Sequence, residues 1–187
     1  RKVVEEIKAM GGEAIANGAD ISTWDGGADL VRSAIDAFGD LHVVVNNAGV
    51  VRDRMFANAS EDEWDLTMQV HLKGHFTTAR HAAAYWRDQA KAGQVVDARI
   101  INTTSGAGLM GSIGQAAYSA AKGGIISLTL VQAAELRRYG ITANAIAPAA
   151  RTRMTEQVFA ATMAAPDEAG AFDAMAERIS RVVLDQR

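Results

Sequence analysis

The chain has 187 residues, 49% of them hydrophobic and 22% charged, with 22 acidic against 19 basic side chains and a formal net charge of -3. That suits one ordinary globular domain and supplies no basic field for nucleic-acid binding; with no cysteine, disulfides, thiolate metal sites and a thiol nucleophile are excluded. No apolar run approaches the ~20 residues of a membrane span, and the charged start Arg1-Lys2-Val3-Val4-Glu5-Glu6 does not read as a signal peptide, so a cytoplasmic protein with neither nucleic-acid nor membrane partners is expected.

In chain order, a helix is predicted over Lys2 to Met10 and stopped by Gly11-Gly12; Arg1 falls inside it, which suggests a chain cut upstream. Glu13 to Asn17 alternates like a short strand and runs into the turn Gly18-Ala19-Asp20. Asp25 is a candidate cap for the next helix, on which Leu30, Val31, Ala34, Ile35 and Phe38 recur at helical spacing until Gly39. Leu41 to Val45 is a continuous apolar run closed by Asn46-Asn47-Ala48-Gly49, the pattern of a parallel strand buried on both faces.

Ser60 and Glu63 form a capping box opening a long helix from about Glu61 to about Ala90. A strand follows over Arg99 to Thr103, then a loop carrying Gly106, Gly108, Gly111 and Gly114, a helix from Ala116 to Tyr139 ended by Gly140, and a strand from Ile141 to Ile146 closed by Pro148. Thr152 to Arg187 reads as helical with a break at Pro166-Asp167. Strand and helix alternate throughout, the signature of an α/β fold with a parallel sheet. Ligands bind such sheets beyond the carboxyl ends of their strands, so the segments after Val45, Thr103 and Ile146 are the ones to search.

Tyr118 and Lys122 are four apart on a predicted helix and so share one face. A fixed cation beside a phenol favours the phenolate, which makes proton exchange with a carbonyl or alcohol oxygen feasible. A Y-x-x-x-K spacing alone occurs by chance on many helices. Two further features strengthen it: Ser105, just past a strand end, can hydrogen-bond a substrate oxygen, and Asn46-Asn47-Ala48-Gly49 offers small residues for the close approach of a flat ligand.

With Asn46 to Gly49, Ser105 thirteen residues before Tyr118, Tyr118-Ser119-Ala120-Ala121-Lys122 and Asn144-Ala145-Ile146-Ala147-Pro148, the sequence from Lys2 to about Thr155 resembles the short-chain dehydrogenase/reductase family. The resemblance implies a Rossmann-like doubly wound parallel sheet and an NAD(P)-dependent oxidoreductase that moves a hydride between nicotinamide and a secondary alcohol or ketone. It implies that Tyr118 is the general acid/base, that Lys122 favours its phenolate and holds the nicotinamide ribose, and that Ser105 orients the reacting oxygen. Asp20 and Ile21 match the adenine contact, Asn46, Ala48 and Gly49 the cofactor lining, and Thr152 after Pro148 the carboxamide contact. Oligomers of the family, dimers or tetramers, are expected to form through the long helices.

Two departures stand out. Where the family usually has an Asn supporting a water relay to the lysine, this chain reads Val70-His71-Leu72-Lys73-Gly74, and His71 can keep such a relay. That phrase, with Gly114-Gln115 and Arg153-Met154-Thr155, is similar to the 3-hydroxyacyl-CoA dehydrogenase branch of multifunctional β-oxidation enzymes, which points to a 3-hydroxyacyl or 3-oxoacyl thioester and to NAD, with NADP not excluded. Ala149 stands where the family usually has Gly.

Against the family, the first two strands with their Gly-rich turn, and the last strand, are expected to be missing. Residues 1–187 then form a single partial dinucleotide-binding and catalytic domain, with 152–187 a helical substrate lid. The alternative is a truncated, non-catalytic fragment serving as a dimerisation or binding module. Three decoys are set aside. Gly106 to Gly111 matches G-x-G-x-x-G, but no acid ends the following strand. His71 and His75 lack the Glu of a zinc-protease motif, so no metal is expected and His75 and His81 read as polar surface or interface residues. Asn58-Ala59-Ser60 is a chance glycosylation sequon.

Overall fold

The computed structural model describes residues 2–148; Thr152 and the predicted lid lie outside the described residues. Helix α1 spans Lys2–Ala9 and α2 Trp24–Phe38. Strand β1 is Val43–Asn46. Helix α3, Glu61–Met68, runs through a π-helical turn at Gln69–Lys73 into α4, Gly74–Lys91. Strand β2 is Ala98–Thr103, α5 Gly106–Met110, α6 Ala116–Leu136 and β3 Ile141–Ile146. The three strands form one parallel sheet in the order β1-β2-β3, with Val44 beside Ile100 beside Ala143 and Asn46 beside Asn102 beside Ala145. They stand in contiguous order, as strands four to six do in the doubly wound arrangement.

Both connections in this sheet step the same way across it, and parallel crossovers are right-handed, so their helices fall on one face. Helices α4 and α6 pack there, with α2 against α4. Val44, Ile100, Ile141 and Ala143 meet Val31, Ala79, Ala82 and Trp86 in the core, and the Trp86 indole N–H donates to the Leu41 carbonyl at 2.6 Å. The opposite face is bare: Val43 is 47% and Val45 58% exposed. The prediction of a strand buried on both faces therefore fails for β1, because no described element covers its second side.

Three other expectations change. Glu13 to Asn17 forms no strand, since no strand neighbours it among the described residues. Asp25 does not cap α2; the Thr23 hydroxyl does, accepting the Gly26 N–H at 3.0 Å, with Asp25 in the first turn. The predicted long helix is present from Glu61 to Lys91 with a π turn within it, while the glycine loop after β2 contains the short helix α5. The Ser60–Glu63 capping box is present, and Glu63 also holds Arg54 at 2.6 Å. Its carboxyl is pushed down to about 2 by that guanidinium and by the Ser60 N–H.

Candidate active site

Lys122 is a buried charge held by the end of a strand. It is buried in α6, and its ammonium donates to the Thr103 carbonyl, the last of β2, at 2.6 Å. The next residue binds back: the Thr104 hydroxyl donates to the Lys122 carbonyl at 2.8 Å. These two bonds fix the end of β2 against one turn of α6. Burial pushes the Lys122 ammonium down to about 8, so it is still charged at neutral pH. Its nitrogen lies 5.6 Å from the centre of the Tyr118 ring, one turn earlier on the same helix face.

Ser105 follows as the N-cap of α5, its hydroxyl oxygen accepting the Ala107 N–H at 3.2 Å. That oxygen is thereby oriented while its own proton stays free to donate. Helix α5 packs on α6 so closely that a Cβ on Gly108 would come within 2.6 Å of the Lys122 backbone. The second glycine of the G-x-G-x-x-G decoy thus serves helix contact.

His71 lies in the π turn, an insertion that recurs at functional sites because it re-aims side chains. Its ring stands edge-on to Tyr118, centroids 5.1 Å apart. Its Nε2 is 2.7 Å from the Val50 carbonyl oxygen and 3.1 Å from the Val50 nitrogen; the shorter contact assigns the proton to Nε2, which donates. Nδ1 is buried without a partner. Burial holds the imidazole below its usual range, the Val50 carbonyl opposes this, and Lys122 adds to it. Gly49 is required by this ring: a Cβ there would lie 2.5 Å from His71 Cε1.

Of the predicted cofactor residues, Asp20 forms a turn whose Oδ1 accepts both the Ser22 N–H, at 3.0 Å, and the Ser22 hydroxyl, at 2.7 Å. These bonds hold its exposed carboxyl below the usual range. The Ile21 carbonyl accepts the Thr77 hydroxyl, so this turn is tied to α4. Asn46, expected among the lining residues, also has a structural part. Its side chain is buried, donating to Asn102 Oδ1 at 2.9 Å and to the His75 carbonyl at 3.3 Å, while Asn102 donates on to Thr129 and Gln132 of α6, both at 2.8 Å. Ala48 and Gly49 follow past the strand end and are exposed. Pro148 is the last described residue, two past the end of β3.

Sequence reasoning missed Thr103, Thr104 and His75. The first two contribute a carbonyl and a local hydroxyl contact that residue type does not signal. His75, expected at a surface, is 1% exposed, because the π turn and α4 carry it under the end of the sheet.

Ser105, Tyr118 and Lys122 at the junction of β2, α5 and α6, with small residues past β1, define a Rossmann-like α/β domain with its site at the carboxyl ends of the strands. The family described as short chain dehydrogenase matches residues 1–162. The chain is 52% identical over 178 residues to the hydroxyacyl-CoA dehydrogenase ChsB1 of Mycobacterium tuberculosis, covering 91% of this chain and 55% of that protein. It is 47% identical over 156 residues to the peroxisomal hydratase-dehydrogenase-epimerase of Neurospora crassa, covering 83% of this chain and 16% of that one. A crystal structure of a short chain dehydrogenase from Mycobacterium avium superposes with a TM-score of 0.80 at 65% identity, over 82% of this chain and 53% of that one. The chain belongs to the short-chain dehydrogenase family. It spans about half the length of the ChsB1 relative and of the M. avium chain.

Proposed function

We propose that the full-length protein is a dehydrogenase that transfers a hydride between NAD, or NADP, and a 3-hydroxyacyl or 3-oxoacyl thioester. The observation that carries this reading is the buried Lys122 ammonium, anchored at 2.6 Å on Thr103 and held under Tyr118. The names of the similar proteins, a hydroxyacyl-CoA dehydrogenase and a hydratase-dehydrogenase-epimerase, support the thioester.

The residues present fit a dinucleotide. Lys122 makes one hydrogen bond among the described residues and has two further N–H groups for ribose hydroxyls. The outer oxygen of Asp20 makes no hydrogen bond among the described residues, and a charged, acceptor-only carboxylate suits an adenine amino group. The backbone past Asn46, where Gly49 leaves no bulk, would line the nicotinamide side, and Thr152 would meet the carboxamide. When bound, the nicotinamide supplies the acceptor or donor of the hydride. The chain's own part is proton handling. Tyr118 takes the proton of the substrate hydroxyl, or returns it to the carbonyl; Lys122 favours the phenolate; Ser105 donates to the reacting oxygen and fixes its direction; His71 braces the Tyr118 ring.

In this reading the enzyme works in the cytoplasm, with which a cysteine-free sequence agrees. Among the described residues no helix is long and apolar enough to cross a membrane. Phe76 of α4 and Leu130 and Val131 of α6 are exposed apolar side chains on the two long helices, with Phe76 and Val131 lining one groove; they support a homodimer or homotetramer built there. Replacing Tyr118 by Phe is expected to cut turnover of 3-hydroxyacyl-CoA by at least ~10²-fold; turnover near that of the unaltered protein removes Tyr118 from the mechanism. NADH fluorescence titration separates the dehydrogenase from a non-catalytic dimerisation module, which would fold without binding it.

A further inference from the structure

Tyr118 lies at the very start of its helix: α6 begins at Ala116, which puts Tyr118 in the first turn. That turn has no side-chain cap, because the side chain of its N-cap residue Gln115 is turned to another partner. An uncapped first turn leaves backbone donors unpaired and frays. Its seat comes from residues 50–54, the stretch that follows Asn46 to Gly49 beyond β1. The Gln115 side-chain amide donates to Asp53 Oδ1 at 2.9 Å. The Arg54 N–H donates to the Gly114 carbonyl at 2.7 Å, which pairs Arg54 with Gln115 in a parallel bridge. The carbonyl of Gln115 in turn accepts the Ser119 N–H of the first helical turn at 2.8 Å. The guanidinium groups flanking Asp53 are engaged elsewhere, Arg52 on the Val51 carbonyl and Arg54 on Glu63, which leaves the carboxylate to Gln115. At the other end of the same stretch the Val50 carbonyl accepts from Nε2 of His71, whose ring stands edge-on to Tyr118. One short stretch thus supports Tyr118 twice, through the ring beside it and through the start of its helix.

We propose that Asp53 is a positioning residue for Tyr118: by holding the Gln115 side chain it keeps the first turn of α6 formed and the Tyr118 phenol beside Lys122 and His71. Lys122 needs no such support, being one turn further along the helix and anchored on the Thr103 carbonyl. Loss of the Asp53 bond therefore acts unequally on the pair: the ammonium stays, and the phenol spends part of its time out of place. Proton exchange occurs only in the seated arrangement, so the loss falls on turnover and not on binding of the nucleotide. Because Asp53 is exposed, removing its side chain leaves global stability nearly unchanged. The catalytic consequence rests on the dehydrogenase reading; the seating of the helix start does not.

The test compares the unaltered full-length protein with Asp53→Ala, which removes the acceptor, and with Asp53→Asn, which keeps an acceptor oxygen for the Gln115 amide and removes only the charge. Hydrogen exchange of the Ser119 amide, which the Gln115 carbonyl protects, reads the seat directly; kcat and the KM for the nucleotide are measured with a 3-hydroxyacyl-CoA. The proposal expects Ser119 exchange to quicken by roughly three- to tenfold in Asp53→Ala, the effect of one lost hydrogen bond on a local equilibrium. It expects kcat to fall by about twofold or more with the KM for the nucleotide unchanged, and both effects to be largely reversed in Asp53→Asn, with the melting temperature of all three proteins alike. Unchanged Ser119 exchange in Asp53→Ala overturns it. So does quickened exchange with kcat intact, or a loss that Asp53→Asn fails to restore. If Asp53→Ala does not fold, Gln115→Leu severs the same bond from the other side and is read in the same way. Absence of hydride transfer from the unaltered protein would count against the dehydrogenase reading alone, because amide exchange needs no turnover.

Discussion

The two faces of the sheet are built from the same strands and differ in almost everything else. On the helix-covered face Val44, Ile100 and Ala143 are buried, and one layer further the Asn46–Asn102 pair threads hydrogen bonds from the carbonyl of His75 to Thr129 and Gln132. On the other face Val43, Val45 and Ile146 meet solvent. The lesson is where the chemistry resides. Lys122 and His71 are placed by α6 and the π turn on the covered side, and the Thr103 carbonyl at the end of β2 anchors the ammonium, so the candidate proton-handling residues gather where the covering helices meet the strand ends.

Truncating the two faces should break this comparison most sharply. Ile100→Ala removes a side chain with no exposed surface and is expected to cost about 4 kcal/mol in chemical unfolding, whereas Val45→Thr on the bare face should stay within about 0.5 kcal/mol. Equal costs would mean that the bare face is covered in solution.

Acid comes next. Burial lowers His75 to about 4 from an unfolded value near 6.5, so below pH 6.5 the unfolded chain takes up a proton that the folded one refuses. Stability contributed by the neutral buried ring is full above pH 6.5 and lost as pH falls towards 4, by up to about 3 kcal/mol. Thermal melts of the unaltered protein and of His75→Gln over that window measure the difference, and parallel curves would mean that His75 is not buried as described. The exposed Arg54–Glu63 pair should matter least: Arg54→Ala is expected to cost less than about 1 kcal/mol and to lose its effect at high salt.

Much of this was legible in the sequence, for reasons that differ by element. The strands at Val43 and Ile141 and the helix carrying Tyr118 and Lys122 follow from apolar runs and periodicity, and the Ser60–Glu63 cap from spacing alone. Tyr118 and Lys122 were readable because a helix places i and i+4 on one face. The Glu13 segment was misread because a strand exists only with a partner. Burial of β1 was misread because apolar composition reports what a strand can pack against, not what is present. The π turn has no residue signature, so His75 was assigned to the wrong surroundings, and the role of Asn46 depends on Asn102 being its register neighbour, which pairing decides.

The most direct test of the account is Lys122→Met in the full-length protein, with hydride transfer from a 3-hydroxyacyl-CoA and the melting temperature measured on the same sample. A charged lysine buried where its ammonium is pushed down to about 8 costs stability below that pH, and an unbranched apolar replacement removes the cost while giving up one hydrogen bond. The account predicts hydride transfer reduced by ~10²-fold or more with the melting temperature at pH 7 unchanged or raised. Retained transfer, or a collapse of the fold with a large fall in melting temperature, would contradict it.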